Sequence, residues 1–196
     1  MNASLLEAAY FARVKKFLWL SSSTGYPPTG DRPVKEEEML TGDPYDKYFC
    51  VGWMKRYTEV LCRMYAQKLK DPLLTIVLRP TNIYGEYDDF MFETSHVFAA
   101  LIRKVVERHS PMDVWGTGDD VRDLIYVGDM VDVMIKVMAQ VAEYSVFNIG
   151  AGKGYSVKEI LARMLVLDGY QDAPVVYDPT KPQMIPIRLV DITKAR

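Results

Sequence analysis

The run TIVLRP at residues 75–80 constrains the fold of this chain more than any other stretch. It is short, largely apolar and β-branched, and it ends at a proline, which is typical of a strand buried inside a sheet. Comparable runs alternate with helical patterns along the sequence. Because such alternation favours a parallel sheet covered by helices on both faces, we predict a doubly wound α/β fold.

The predicted elements follow this alternation. Apolar residues at helical spacing predict helices at 2–13, 47–69, 94–108, 128–141 and 156–167, and short apolar runs predict strands at 15–21, 73–79, 112–116, 122–127, 145–150 and 174–178. Ser156 and Glu159 have the spacing of a capping box at the start of the last helix. The segment 22–46, rich in Ser, Gly, Pro and acidic residues, is predicted to be an exposed loop, and 80–92 a second loop.

Charge and hydropathy exclude several classes of protein. Lys and Arg number 24 against 26 Asp and Glu, a net charge of −2, so no polybasic segment is available to nucleic acid. No apolar stretch approaches the roughly 18 residues of a membrane span, and no secretory leader is visible, so we expect a soluble cytoplasmic protein. Cys50 and Cys62 lie twelve residues apart on one predicted helix. Helical rise separates them by about 18 Å, which is too far for a disulfide.

Two glycine-rich segments and one acidic cluster resemble ligand sites, but simpler interpretations are favoured. GTGDD at 116–120 joins two short strands, and GAGKG at 150–154 lacks the later glycine of a dinucleotide cradle, so both are predicted to be turns. Asp119, Asp120 and Asp123 have no His or Cys at ligand spacing, and we therefore predict no metal site.

The candidates for chemistry lie beyond predicted strand ends, where substrates bind in α/β sheets. SSST at 21–24 follows one strand, and its hydroxyls can bond a substrate oxygen or only their own turn backbone. Lys55 is near the start of the long helix and can donate to ribose hydroxyls or simply lie on the helix surface. His96, one of two histidines, can act as an acid/base or merely cap the helix that follows.

The order of these candidates resembles a known family. A strand followed by SSST and Tyr26, then Lys55, then RPTNIYG at 79–85, is similar to the extended short-chain dehydrogenase/reductases of the NAD-dependent epimerase/dehydratase family. Within it the resemblance is greatest to GDP-L-fucose synthase-like nucleotide-sugar epimerase/reductases. The blocks that carry it are PTNIYGEYDDF, TSHVFAALIRK, VWGTGDDVRDLIYVGDM, FNIGAGKGYSVKEI and YDPTKPQMIPIRLVDITKA. Together they cover essentially the whole chain.

The resemblance implies a set of site residues. The catalytic residues would be Ser22, Thr24, Lys55 and His96, with Thr24 in place of a family cysteine that exchanges a proton at the sugar. The residues expected to bind NAD or NADP are Ser21, Lys55, Pro80, Asn82 and Ile83. The residues expected to bind a nucleotide-diphosphate sugar are Asn82, Arg103, Lys104, Arg122 and Lys181. A diphosphate needs fixed cations, and arginine offers it a bidentate fork.

The resemblance also implies an architecture. It predicts the C-terminal part of a Rossmann-like doubly wound parallel sheet with a small α/β substrate-binding subdomain. Residues 1–92 would form the second half of the Rossmann-like domain, truncated at its N-terminus. Residues 93–196 would form mainly the substrate-binding subdomain, with 122–150 returning to the Rossmann core. The apolar stripe on the helix 47–69 would pair two copies into a homodimer.

Two departures from the family leave two functional hypotheses. Val51 stands four residues before Lys55, where the family has its catalytic tyrosine, although Tyr26, Tyr48 or Tyr84 can replace it. The dinucleotide fingerprint of the family is missing, so we expect a fragment or a truncated form. The first hypothesis is a nucleotide-sugar epimerase/reductase that uses NAD or NADP. The alternative is a non-catalytic module that binds a nucleotide sugar or dimerises.

Overall fold

The computed structural model describes residues 2–196, and within that range helices and strands alternate. The helices are α1 (Asn2–Phe11), α2 (Phe49–Gln67), α3 (Val97–Val106), α4 (Val127–Gln140) and α5 (Val157–Leu167). The strands are β1 (Lys16–Leu20), β2 (Leu74–Pro80), β3 (Asn82–Tyr84), β4 (Met112–Trp115), β5 (Val121–Tyr126), β6 (Ser145–Ile149), β7 (Gly154–Ser156), β8 (Val175–Asp178) and β9 (Ile187–Arg188). These strands form three sheets.

The first sheet has the order β1-β2-β6, and its strands are parallel. Helices cover both of its faces: Val77 of β2 packs with α1 and α2, whereas Ile76 and Leu78 pack with α4. All three side chains are fully buried. A strand buried on both faces favours apolar residues at successive positions, which explains the run Ile76–Leu78 at the centre of β2. The predicted doubly wound α/β arrangement is confirmed.

The layers between this sheet and its helices form two clusters of the core. On one face, Leu6 of α1 and Cys62 of α2 pack on β2. On the other face, Met130 of α4 packs with Ile125 and Ile149. Burying one large apolar side chain contributes about 1.5–3 kcal/mol, so these layers hold the carboxyl ends of β1, β2 and β6 as a rigid edge.

The second sheet is built on β5. Strands β3 and β9 run parallel to β5, and β7 runs antiparallel to it. The register pairs Asn82 with Leu124 and Arg122 with Arg188. Because side chains alternate between the faces of a strand, residues paired in register share one face, and the two arginines lie side by side.

The third sheet is the parallel pair β4 and β8, which packs against α3 and α5. Leu101 of α3 and Leu161 of α5 meet Met112 of β4 in this cluster. The capping box predicted at the start of α5 is confirmed. The Ser156 hydroxyl accepts from the Glu159 N–H at 3.2 Å, and the Glu159 carboxylate accepts from the Ser156 N–H at 2.7 Å.

The segment 22–46, predicted to be an exposed loop, is partly a core element, so that prediction was wrong in part. It contains two short 3₁₀ turns and buries Tyr26, Val34 and Met39 against Val190. A third 3₁₀ turn, Asp46–Tyr48, precedes α2. The buried residues are too far apart in sequence to show a period, so only their long-range partners reveal them.

Other differences concern short elements and helix ends. Strands β4 and β5 flank the Gly-Thr-Gly turn but belong to different sheets. Strands β3, β7 and β9 were not predicted, because two or three residues carry no periodicity. Helix α2 begins at Phe49 and α3 at Val97, two and three residues later than predicted.

The structure also tests for membrane-spanning helices, disulfides and metal sites among the described residues. None of the helices in 2–196 is long and apolar enough to cross a bilayer. The Cys50 thiol is exposed and the Cys62 thiol is buried, and both are free. Burial raises the pKa of Cys62 to about 12. Within the same range, no group of His, Cys, Asp and Glu is arranged to hold a metal ion.

Candidate functional site

The turn after β1 places hydroxyl groups at the carboxyl edge of the first sheet. Ser22 begins the 3₁₀ turn Ser23–Gly25, and its Oγ accepts hydrogen bonds from the Thr24 N–H at 3.1 Å and the Thr24 hydroxyl at 3.0 Å. The Ser21 hydroxyl donates to the buried carboxylate of Glu59. The structure therefore brings Ser22 and Thr24 together and turns Ser21 toward the protein interior.

Lys55 reaches the same edge from the second turn of α2. Its Nζ donates to the Leu20 carbonyl at 3.1 Å and lies 5.2 Å from the centre of the Trp19 ring. Burial lowers the pKa of Lys55, and the charge of Glu59 opposes that shift. Since Leu20 ends β1, the amine of Lys55 lies at the strand end from which Ser22 and Thr24 follow.

The first turn of α2 packs closely against the turn after β1. A Cβ on Gly52 would lie 2.6 Å from the Cβ of Pro44 and 2.9 Å from the Thr24 carbonyl oxygen, so only glycine fits there. The neighbouring Val51 is 42% exposed. The first turn of α2 therefore packs as described, but position 51 lacks the tyrosine hydroxyl that the resemblance implies. A valine has no group that transfers a proton.

Two of the tyrosines considered as replacements are committed to other contacts. Tyr26 is fully buried, and its hydroxyl donates to Asn148 Oδ1 and accepts from the Arg79 guanidinium, both at 2.6 Å. The Tyr84 ring packs on the Phe98 ring at a centroid distance of 4.8 Å. Neither tyrosine contacts Ser22 or Lys55 through a hydrogen bond of the described residues.

Three of the predicted binding residues are exposed and one is buried. Asn82 and Ile83 form β3 beside β5, and both are exposed. The Nζ of Lys181 lies in solvent 5.9 Å from the centre of the Trp115 ring. Pro80 ends β2 inside the sheet. The three exposed side chains are therefore accessible to a ligand, whereas Pro80 shapes the chain between the first and second sheets.

His96 makes no described contact with Ser22, Thr24 or Lys55. It is the N-cap residue of α3, its side chain is exposed, and that side chain makes no capping hydrogen bond. The pKa of Asp89 is lowered mainly by a hydrogen bond from the Thr94 hydroxyl, and the charge of His96 adds to the effect. The imidazole therefore lies near Asp89, and no hydrogen bond within residues 2–196 joins it to the group at the end of β1.

Arg103 and Lys104 are engaged by their immediate surroundings. The Arg103 guanidinium donates to the Phe90 carbonyl at 3.0 Å and forms an ion pair with Glu107 at 2.8 Å. The Lys104 amine forms an ion pair with Asp113 at 2.8 Å. The Arg103 bond to Phe90 holds the loop before α3 on the helix, and the Lys104 pair joins α3 to β4. Neither cation can therefore contact a ligand without exchanging partners.

Arg122 and Arg188, called here the arginine pair, form a buried cationic site between β5 and β9. The two side chains are 8% and 6% exposed. Arg122 forms an ion pair with Asp120 at 2.9 Å. Arg188 donates to the backbone carbonyls of Tyr26 and Pro27, each at 3.1 Å, and its buried Nε has no partner within residues 2–196.

The charge of the arginine pair is only partly balanced, because Asp120 forms an ion pair with Arg122 and no described carboxylate forms one with Arg188. Burial lowers the pKa of Arg188 to about 10, and the charge of Arg122 acts in the same direction. Like charges opposite each other on neighbouring strands disfavour the fold, and a buried cation without a partner is costly. An anion that accepts hydrogen bonds from both guanidinium groups would remove this cost, so the pair is suited to a phosphate group.

Sequence reasoning selected Arg122 for this role but missed Arg188. The pairing of β9 with β5 depends on a register that a single sequence does not reveal. One signal was nevertheless available. Arg188 is a lone charge in the apolar run IPIRLV at 185–190, and a cation in such a run needs a compensating partner when the strand is buried.

The match to known proteins agrees with the motifs. The model of the NAD dependent epimerase/dehydratase family matches residues 1–150, well over half of the chain. The chain belongs to this family. The resemblance inferred from the ordered sequence blocks is therefore confirmed.

Curated relatives of the chain within the family carry nucleotide-sugar names. The chain is 30% identical over 200 residues to putative GDP-L-fucose synthase 2 of Arabidopsis thaliana, in a match that covers 99% of the chain and 60% of the relative. It is 30% identical over 209 residues to the GDP-L-fucose synthase of Escherichia coli, with 99% and 64% covered. The chain therefore spans less than two thirds of the length of these relatives.

Solved structures share the fold over the whole chain. UDP-glucose 4-epimerase of Thermotoga maritima, solved with UDP-glucose, superimposes with a TM-score of 0.80 at 28% identity, and the match covers 99% of this chain and 60% of that one. The GDP-L-fucose synthetase of Naegleria fowleri bound to NADP has a TM-score of 0.86 at 22% identity, with 98% and 62% covered. The second likeness concerns the fold alone.

Proposed function

We propose that this chain is the substrate-binding part of a nucleotide-sugar epimerase/reductase, similar to GDP-4-keto-6-deoxymannose epimerase/reductases. The observation that carries the proposal is the arginine pair: two buried arginines, paired in register, of which only Arg122 forms an ion pair with a described carboxylate. A sugar nucleotide brings a diphosphate that matches this excess of positive charge. The GDP-sugar names of the curated relatives favour a guanosine nucleotide.

The diphosphate would complete contacts that the arginine pair leaves open. The Nε of Arg188 faces no acceptor in the described chain, although it is buried. A phosphate oxygen can accept from Nε and a terminal nitrogen of one guanidinium at once, the bidentate geometry that arginine favours. Lys181 and Asn82, both exposed, are the further residues that we assign to the nucleotide and the sugar.

In this proposal the sugar lies beside Ser22 and Thr24. The Ser22 oxygen already accepts two hydrogen bonds from Thr24, so its own proton stays available to a substrate oxygen. His96 would exchange a proton on a carbon next to the sugar ketone, since an imidazole can act as a general acid or base. Thr24 is a far weaker acid than cysteine, which favours exchange at one carbon over exchange at two.

A nicotinamide cofactor, NAD or NADP, belongs to the proposed reaction. Lys55 and Asn82 are the residues that we assign to its ribose and nicotinamide, and Ile83 would lie near them. Ser21 is not assigned to the cofactor, because its buried hydroxyl donates to Glu59. The turn after β1 leads into a 3₁₀ turn and not into a helix, and no glycine-rich strand-to-helix turn occurs within residues 2–196. The described residues thus fit the nicotinamide end of the cofactor and lack a cradle for its diphosphate.

The second candidate function is a non-catalytic module that binds a nucleotide sugar. Val51 favours it, because a side chain without a proton donor stands one turn before Lys55. Binding through the arginine pair does not require a tyrosine at 51. The two candidates therefore share a ligand and differ in turnover.

Calorimetry with GDP-mannose and UDP-glucose tests the property that both candidate functions share, the binding of a nucleotide sugar at the arginine pair. Removing the charge-assisted hydrogen bonds of one guanidinium in Arg188→Met should weaken binding about 30-fold, because hydrogen bonds to charged groups are each worth about 1.5–3 kcal/mol. Arg163→Met, on the exposed face of α5, is the matched control and should bind as wild type. Equal affinities for wild type and Arg188→Met would refute the proposal.

Turnover separates the two candidates. If the chain supports epimerisation, His96→Ala and Ser22→Ala should each lower the rate at least about tenfold, as expected when one acid/base group is lost. The measurement is proton exchange into a 4-keto sugar nucleotide, followed by NMR in deuterated water. Tight binding of the sugar nucleotide without any exchange would favour the non-catalytic module.

We also propose that α2 pairs two copies of the chain. Trp53, Met54, Tyr57 and Val60 are each between 41% and 65% exposed and recur at helical spacing along one side of α2. Tyr57→Glu should convert a dimer to a monomer in light scattering, because it buries a charge in the apolar contact. Leu167→Glu, at an exposed apolar position on α5, should leave the mass unchanged. A monomeric wild type would contradict the proposed pairing.

A further inference from the structure

Two side chains of α2 hold the beginning of the segment 20–25, which contains the turn after β1. The Lys55 amine donates to the Leu20 carbonyl at 3.1 Å. One turn further along the helix, the buried Glu59 carboxylate accepts from the Ser21 hydroxyl. The first two residues of the segment are therefore fixed to the helix.

Arg56 holds the other end of the same segment. Its Nε donates to the Gly25 carbonyl at 2.8 Å, and its Nη2 donates to the Gly42 carbonyl at 2.5 Å. The guanidinium carbon lies 4.7 Å from the centre of the Trp53 ring, and the residue is 2% exposed. Because both nitrogens belong to one planar guanidinium, the two carbonyls are held at a fixed separation.

The contacts of Arg56 differ from those of a buried ion pair. Within residues 2–196 its guanidinium hydrogen-bonds only backbone carbonyls and forms no ion pair. A contact to a carbonyl constrains the path of the main chain directly, whereas an ion pair joins two side chains. Arg56 therefore determines where the turn after β1 ends relative to α2.

The hydroxyls of Ser22 and Thr24 lie between these fixed points. The Ser22 oxygen accepts from the Thr24 N–H at 3.1 Å and from the Thr24 hydroxyl at 3.0 Å. A Cβ on Gly52 would lie 2.9 Å from the Thr24 carbonyl oxygen, so the helix also packs closely on the middle of the turn. The two hydroxyls thus cannot move relative to Lys55 unless a contact with α2 is broken.

We propose that Arg56 is a positioning residue, which holds the Gly25 carbonyl and so keeps the hydroxyls of Ser22 and Thr24 in place beside the bound sugar. The inference rests on the proposed function and extends it to a residue that acts through the turn. The arginine pair would bind the diphosphate, and Arg56 would set the position of the groups that meet the sugar.

Calorimetry on Arg56→Met with GDP-mannose and with GDP tests this role. GDP lacks the sugar, so its affinity depends on the diphosphate site and not on the turn. Losing one neutral hydrogen bond to the sugar should weaken GDP-mannose about fivefold and leave GDP unchanged. The matched control is Arg63→Met, because Arg63 is exposed on the same helix and its Nε donates only to Gln67. It should bind both ligands as wild type.

Amide hydrogen exchange read by mass spectrometry tests the turn itself. The N–H groups of residues 24–26 bond to Ser22 and Ser23, and they should exchange about tenfold faster in Arg56→Met. Peptides from β2 and β6 should exchange as in wild type. Arg56→Lys keeps the charge and can bond only one carbonyl, so a smaller increase is expected. It carries both measurements if Arg56→Met does not fold.

The outcomes separate this inference from the proposed function. If Arg188→Met weakens both ligands and Arg56→Met weakens neither, the role of Arg56 is overturned and the diphosphate site stands. Equal weakening of both ligands by Arg56→Met also overturns the inference, because Arg56 would then only stabilise the fold. Unchanged amide exchange in the turn does the same. If the wild type binds neither ligand, the proposed function and the inference are both overturned.

Discussion

Two buried arginines contact Tyr26, and they differ in what balances their charge. Arg79 makes a bidentate ion pair with Glu59, with a shortest contact of 2.5 Å, and donates to the Tyr26 hydroxyl. Arg188 donates to the Tyr26 carbonyl and has no carboxylate partner among the described residues. The side chains are similarly buried, 5% and 6% exposed. Burial therefore does not distinguish them, and only the counter-ion does.

In the proposed function, this difference separates an arginine that stabilises the fold from one that binds the ligand. The charge of Arg79 is satisfied inside the fold, because Glu59 also accepts from Ser21 and so ties α2 to β1 and β2. In the proposed function, Arg188 uses its charge to bind an external anion. A buried charge whose partner is missing marks a site for function more clearly than a buried charge whose partner is present.

The largest effect is expected when the balanced arginine loses its partner. Glu59→Gln leaves Arg79 buried and unpaired, and breaking a buried pair in this way costs about 3–5 kcal/mol. Urea denaturation followed by circular dichroism measures the loss. Glu107→Gln is the control, because its pair with Arg103 is exposed and contributes little. A change at Glu59 no larger than that of the control would show that the Arg79 pair does not stabilise the sheet.

A second effect concerns Asp123, a buried carboxylate without a cation. It is 1% exposed and accepts from the Ala151 and Gly152 N–H groups at 2.8 Å and 3.1 Å. Burial raises its pKa from 3.8 to about 6, although these hydrogen bonds oppose the shift. The folded protein holds this proton more tightly than the unfolded chain, so stability increases as the pH falls through 6 and levels off below about 4.

Asp123→Asn replaces the titrating carboxyl group by an amide that does not ionise. The free energy of unfolding should therefore vary less with pH in the variant. A shift of about two pKa units corresponds to about 3 kcal/mol. Denaturation at pH 4, 5, 6 and 7 gives the difference between wild type and variant, in which titrations common to both cancel. If the stability curves of wild type and variant run parallel, the pKa of Asp123 is not raised in the folded state. Asp123 would then no longer be an example of an unpaired buried charge.

The smallest effect is expected for the stability of Arg188→Met. Removing an unbalanced buried cation relieves repulsion with Arg122 and loses two hydrogen bonds to carbonyls, so the free energy of unfolding should stay within about 1 kcal/mol of wild type. Arg79→Met is the matched variant and should lose several times more. Comparable losses in both would erase the distinction between the two arginines.

Much of the fold was predictable because its elements carry local signals. The apolar run of β2 and the capping box of α5 both predicted the observed structure. The burial of Tyr26 and Val34 was not predictable, since these residues sit in a polar segment and pack on Val190 from the far end of the chain. Long-range packing of this kind leaves no period in the sequence.

The site was predictable to the extent that it follows strand ends. Ser22, Thr24 and Lys55 were selected because their positions follow β1 and open α2, and the structure places them at one edge. His96 was selected by the same logic, yet it lies on the loop before α3. The position of a loop residue depends on side-chain contacts within the loop, which the sequence alone does not reveal. Arg188 was missed because register alone brings it to Arg122.

Tyr26 has a consequence for dynamics, because its two ends contact the two arginines. The side chain hydrogen-bonds Arg79 and Asn148 within the first sheet, and the backbone carbonyl hydrogen-bonds Arg188. An anion that shifts the Arg188 guanidinium would therefore change its hydrogen bond to the Tyr26 carbonyl. Because the Tyr26 side chain is bonded to Arg79 in β2, this change would alter the mobility of the sheet. Amide exchange at the ends of β2 and β6 should then report on the binding of an anion to Arg188.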